Sequence, residues 1–104
     1  MKQKFNVISP VDGSVVLTMN EATPGQIARS LDDAQHAASR WRESSVSDRV
    51  AAVMAFTEAL AGMKAEIAES LTMCMGRPSR FAGGEVDGTI AVGVACTRGG
   101  TVIA

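Results

Sequence analysis

The chain has 104 residues, 46% of them hydrophobic, with ten basic and eleven acidic side chains and a net charge of −1. That length holds one domain at most, and the apolar share is too high for a disordered chain. Lys2, Lys4, Arg40, Arg42 and Arg49 are scattered among acids, so no clustered positive surface for nucleic acid is expected, and no apolar run reaches membrane-spanning length.

The N-terminus, "MKQKFNVISP", has the positive start of a signal peptide but lacks the long apolar centre and small-residue cleavage site, which reads as a cytoplasmic protein. "FNVIS" and "SVVLTM" are β-branched runs separated by "PVDG", and Asp12-Gly13 is a turn signal; a hairpin is predicted over residues 5–19. Pro10 sits at the turn, where its fixed φ suits the bend and its missing N–H does no harm. A hairpin alone is marginal in water, so the helices are expected to carry it.

Four helices follow, near residues 24–42, 47–62, 64–75 and 79–92. "TPGQ" from Thr23 to Gln26 fits a capping box, with Pro24 at the first helical position. Ile27, Leu31, Ala34, Ala38 and Trp41 then share one stripe at helical spacing. Trp41 is expected to be the best-buried side chain of this helix, so that Trp41→Ala would cost about 3–5 kcal/mol. His36 falls on the opposite face, toward water, with no acidic or cysteine partner expected at helical spacing and no ligand or base role.

"ESSVSD" ends that helix and caps the next, through Ser45 three residues before Asp48 or Ser47 directly before it. Val50, Val53, Met54, Thr57, Leu60 and Ala61 make the second stripe, and Gly62 loosens the helix near Met63. In "KAEIAESLTMCM", Ile67, Leu71 and Cys74 lie on one side, with Glu66, Glu69 and Ser70 on the other. Gly76 and Pro78 then stop the helix: glycine takes the left-handed position, and proline opens the following helix. Arg77 favours the negative pole of the helix that ends there. With only four aromatic residues, alanine, valine and methionine must fill most of the core.

The candidates for chemistry do not combine. Cys74 lies on an apolar face near a helix C-terminus, whose negative pole disfavours a thiolate nucleophile. Cys74, Cys96 and the single His36 form neither a disulfide framework nor a metal-ligand set. "GRPSRFAGG" lacks the Gly-Lys-Ser/Thr ending of a phosphate loop and follows a helix instead of a strand. Glu85 and Asp87 are two residues apart and do not face each other on a helix. No catalytic, cofactor-binding or metal-ligating residue is therefore assigned.

Taken in order, "ISPVDGSVV", "NEATPGQIARSLDDAQHAASRW", "SDRVAAVMAFTEAL", "AEIAESLTMCMGRP" and "SRFAGGEVDGTI" resemble the N-terminal segment of the aldehyde dehydrogenase superfamily, over residues 5–90. The arginine of "MGRP" and the following "SRFAGGEV" are most similar to the branch acting on small or aromatic aldehydes. The resemblance implies a mainly helical α+β fold, a hairpin and three to four amphipathic helices forming the outer part of a cofactor-binding domain. It implies an NAD- or NADP-dependent oxidoreductase that turns an aldehyde into a carboxylic acid through a thiohemiacetal on a cysteine. In relatives the nucleophile, the water-activating glutamate, the oxyanion donors and the cofactor contacts lie beyond the matched part, and Cys74 does not align with the nucleophile. Some relatives also hold a monovalent cation through backbone carbonyls matching Val7 and Ile8 and an acidic side chain matching Cys74. A thiol there removes the hard oxygen ligand, so no cation site is assigned.

The expectation is thus a single partial domain over 1–104, an inactive dehydrogenase fragment that binds no cofactor alone and self-associates through exposed helix faces. The alternative is a small helical self-associating or partner-binding protein. In "AVGVACTRGGTVIA" the tail departs from the family pattern: propensity alone makes residues 91–104 a strand, a turn and a strand remnant. A truncated product whose last residues are read out of the ancestral frame would account for that departure. In that case the DNA downstream encodes the remaining segments in another frame.

Overall fold

The computed structural model describes residues 3–103, with side chains from residue 3 to residue 98. Two strands and four helices follow in order: β1 (Lys4–Ile8), β2 (Val15–Asn20), α1 (Pro24–Glu43), α2 (Val46–Gly62), α3 (Lys64–Met75) and α4 (Ser79–Ile103). The mainly helical architecture with an N-terminal hairpin is the one expected from sequence.

β1 and β2 pair antiparallel from Lys4↔Asn20 to Val7↔Leu17, and then shift to Ile8↔Val15. The shift leaves Val16 as the extra residue of a bulge. The loop is tied by Ser9, which is only 1% exposed. Its N–H donates to the Ser14 carbonyl at 2.8 Å, and its own carbonyl accepts from Gly13 N–H at 2.8 Å. Asp12 Oδ1 accepts from both the Ser14 N–H (3.0 Å) and the Ser14 hydroxyl (2.7 Å), an Asx-type turn in which Gly13 takes φ +76°.

The helix boundaries follow their local chemistry. Thr23 caps α1, accepting from Gln26 N–H while the Gln26 side chain accepts from Thr23 N–H, a complete capping box. Of the two serines considered for α2, Ser45 is the cap, accepting from Asp48 N–H at 3.0 Å. Met63 alone separates α2 from α3. Gly76 ends α3 at φ +73°, and a Cβ placed on it would lie 2.8 Å from Pro10 Cγ. This one glycine therefore both reverses the chain and receives the tip of the hairpin. Pro78 lies just outside α4, its carbonyl accepting from Phe81 and Ala82 N–H.

The core lies where α4 packs on both α2 and α3. Ala82, Val86 and Thr97 of α4 are buried, as is Thr57 of α2. Along α4 the covered positions 82, 86, 90, 93 and 97 recur every three or four residues, one face of a helix. The helices approach closely at Gly93, where a Cβ would lie 2.5 Å from Thr57 Cγ2. The hydroxyls turn back onto their own helices. Thr57 Oγ1 donates to the Met54 carbonyl at 2.8 Å and Thr97 Oγ1 to the Val94 carbonyl at 2.6 Å, with Thr97 Oγ1 also 3.8 Å from Met54 Sδ on α2. Lys64 and Asp87 join α3 to α4 through an exposed 2.8 Å ion pair.

Three expectations are overturned. The tail is not a strand, a turn and a strand remnant: α4 runs on as helix to Ile103, and residue 104 lies outside the described residues. Tertiary packing wins over propensity here, because Gly93, Val94 and Thr97 complete the face that α2 covers. Trp41 is 49% exposed, not the best-buried residue of its helix; α1 buries none of its side chains, so the cost of Trp41→Ala falls well below the core value. The helices meet the hairpin through the Pro10–Gly76 contact, while Phe5, Leu17 and Met19 remain exposed along the strands. On α2 the stripe holds except at Ala61, which is exposed.

Two outcomes follow from this packing. Gly93→Ala forces α2 and α4 apart at Thr57, and overpacking of this kind costs about 1–3 kcal/mol against a propensity gain near ~1 kcal/mol. Paired with Thr57→Ser, which removes the obstructing methyl, the same change is stabilising; urea midpoints of the four proteins measure the coupling, and simple additivity contradicts the close approach. At Asp12, the hydrogen bonds from the Ser14 hydroxyl and N–H hold the carboxyl below its ordinary value of 3.8. A depressed folded-state pKa contributes stability that is present above the unfolded value and lost as pH falls through the folded one. Asp12→Asn should therefore flatten the acid-side loss of hairpin order in NMR spectra between neutral pH and pH values below 3.8; an unchanged acid profile counts against the turn chemistry.

Candidate functional site

The elbow between α3 and α4 collects the polar chemistry of the chain. Gly76 turns the backbone, Pro78 prevents α3 from continuing, and the first two turns of α4 project Arg80, Phe81 and Glu85 beside Arg77. Arg77 Nη2 lies 2.9 Å from Glu85 Oε1, an ion pair spanning the elbow with both side chains about half exposed. The Arg77 and Arg80 guanidinium carbons sit 5.6 Å and 4.6 Å from the centre of the Phe81 ring. At such distances each cation is attracted to the ring's electron-rich face. Together with Gly84, Gly88, Thr89 and Val92 these residues line an open groove of about 670 Å³. The arrangement joins a half-exposed apolar ring to two cations, one of them already neutralised by Glu85.

The groove lacks what acyl or hydride chemistry needs. A nucleophile requires a base within hydrogen-bond reach, and an oxyanion requires free donors aimed at it. The Thr89 hydroxyl is turned to the Glu85 carbonyl at 3.0 Å, so it is engaged with its own helix. Gly84 and Gly88 lie inside α4, where helical amides are already bonded.

The residues weighed from sequence are dispersed. Cys74 is half-buried on α3, its Sγ 3.8 Å from the Ser70 hydroxyl; Cys96 is exposed on α4, and both thiols are free. Glu85 and Asp87 do not act together: Glu85 turns to Arg77 and Asp87 to Lys64. Arg77, read from sequence as a partner of the α3 dipole, spends its charge on Glu85 as well. His36 faces water as expected, but the expectation that it lacks an acidic neighbour is wrong. Asp32 stands one turn earlier, with Oδ1 3.7 Å from Nδ1, and the Asp32 carbonyl lies 2.9 Å from the same nitrogen. Both side chains are more than two-thirds exposed, which makes this a surface pair. Among the described residues no group of three or more histidine, cysteine, aspartate or glutamate side chains converges on a point that suits a metal.

Sequence reasoning missed the groove because its members arrive from a loop and from three successive turns of α4. The spacing of Arg77, Phe81 and Glu85 at four-residue steps was the available signal.

The described residues also do not fit the dinucleotide that the resemblance implies. A Rossmann-type cradle needs a glycine loop leaving a parallel strand and entering a helix N-terminus. Here the sheet is an antiparallel hairpin, and the glycine-containing turn at Gly76 leaves a helix. Among the described residues no helix is long and apolar enough to cross a membrane.

No solved structure matches the chain. The model of the aldehyde dehydrogenase family matches residues 1–99. Nearly the whole sequence, including the first two-thirds of the tail that departs from the pattern by eye, is thus covered by a single family. With its hairpin, its helix-stopping "MGRP" and the four helices in the order that the motifs require, this chain belongs to the aldehyde dehydrogenase family.

Proposed function

We propose that these 104 residues are the structural N-terminal segment of an NAD(P)-dependent aldehyde dehydrogenase, one partial domain that contributes scaffold and no reacting group. The observation that carries this reading is the family match over residues 1–99, together with a Cys74 thiol whose hydrogen-bond neighbour is a serine hydroxyl and not a base. Cys74, the more protected thiol, has the Ser70 hydroxyl for a neighbour, and a hydroxyl is not the general base that a nucleophile needs beside it. Its place on a helix flank, behind the Gly76 turn, also suits packing and not attack on a carbonyl. In the complete reaction an aldehyde is oxidised to an acid while hydride passes to the nicotinamide; the present residues would shape the outer wall of the domain that holds the cofactor. A cytoplasmic setting belongs to the same proposal, and among the described residues no helix is long and apolar enough to cross a membrane.

The reading is tested by incubating the chain with NAD+ or NADP+ and with aliphatic or aromatic aldehydes. The expected outcome is no growth of reduced-nicotinamide absorbance and no saturable heat of cofactor binding. Saturable, stoichiometric binding of either dinucleotide would overturn the assignment of a purely structural role.

A further inference from the structure

Asp–Gly occurs twice in the chain, at Asp12–Gly13 and at Asp87–Gly88. This dipeptide rearranges without any added reagent, because glycine puts no side chain in the way of its own amide nitrogen. The glycine nitrogen attacks Cγ of the aspartic acid. A C–N bond forms, a Cγ–O bond breaks, and the carboxyl OH leaves as water with the amide proton. A second water then reopens the five-membered imide at either of its carbonyls. Opening at the main-chain carbonyl leaves the backbone running through Cβ and Cγ, an isoaspartate of unchanged composition and oxidation state. What separates the two sites is the fold around each.

In the hairpin loop the reacting groups are held by single hydrogen bonds. Gly13 N–H donates to the Ser9 carbonyl at 2.8 Å, and Asp12 Oδ1 accepts from the Ser14 N–H at 3.0 Å and the Ser14 hydroxyl at 2.7 Å. The Ser14 donors keep the carboxyl ionised, below its usual range, and an ionised carboxylate has no OH to lose as water. The closed turn therefore opposes ring formation, yet opening it breaks only these local bonds. Asp87–Gly88 instead lies within α4, next to the buried Val86. Its amides belong to the helical ladder, and Asp87 is paired with Lys64 at 2.8 Å. Ring closure there means unwinding the helix on which both α2 and α3 pack. We infer that Asp12 is the isoaspartyl modification site of this chain, governed by opening of the turn over residues 9–14, and that α4 keeps the same dipeptide at Asp87 silent. Isomerisation inserts Cβ into the backbone beside Gly13, which breaks the closure of Ser9 on Ser14 and loosens Pro10 from Gly76. The inference rests on bonds within the chain and is independent of the proposed scaffold role.

Prolonged incubation of the 104-residue chain at neutral pH, native and in denaturing urea, followed by peptide mapping, tests this. Isoaspartyl and aspartyl peptides share a mass, separate in retention and are told apart by electron-driven fragmentation. In urea both sites should isomerise at similar rates. In the native chain isoaspartate should accumulate at residue 12 and not at residue 87. A turn open about a tenth of the time makes the native rate at residue 12 about tenfold slower than the rate in urea. Ser14→Ala should raise that native rate severalfold, Ser14→Thr, which keeps the hydroxyl, should restore it, and neither should change the rate in urea. Equal native and urea rates at residue 12 overturn the inference, as does native isoaspartate appearing at residue 87 as early as at residue 12. So does a Ser14→Ala chain that isomerises at the wild-type rate, or an Asp12 that stays intact even in urea.

Discussion

The missing side chain at Gly93 sets how closely α2 and α4 approach, because Thr57 occupies the space that a Cβ would need. From that contact the α4 face runs back through Val86 and Ala82 toward α3, so one helix serves as the shared wall of two others. Small residues at such a crossing bring backbones together, while the threonine hydroxyls are retired onto carbonyls of their own helices. The resulting core is built from alanine, valine, glycine and threonine, not from the few aromatic residues. Phe56 and Phe81 remain largely exposed.

Outside that core the chain is held more lightly. The hairpin leans on the helical unit through Pro10 against Gly76, which places its loop at the end of the helix that carries Cys74. α1 connects hairpin to core without burying a side chain against either. The radius of gyration is 17.9 Å, against about 13 Å for a compact domain of this length. The extended outline leaves the stripe of α1 and the apolar residues of the hairpin exposed.

Much of this was legible in the residues. Thr23, Pro24 and Gln26 announced the start of α1, Ser45 that of α2, and Gly76 with Pro78 the elbow, since each works through a local hydrogen bond or a fixed φ. The stripes of α2 and α3 were equally plain. What the sequence concealed depends on the third dimension. Periodicity showed that Trp41 shares a stripe with Ile27, but not that no other described residue covers the stripe. Gly93, Gly99 and Gly100 read as breakers by propensity, whereas in the fold the first of them is a point of close helix contact. The Arg77–Glu85 pair and the groove around Phe81 arose only when the elbow brought a loop residue over α4.

The central claim is that α2, α3 and α4 form one packed unit, while α1 is held by its capping box and its own backbone and not by burial against the other described residues. Amide hydrogen exchange addresses it directly. Protection in α2–α4 should be high and protection in α1 weak. Equal protection of α1 and α4 would contradict the account.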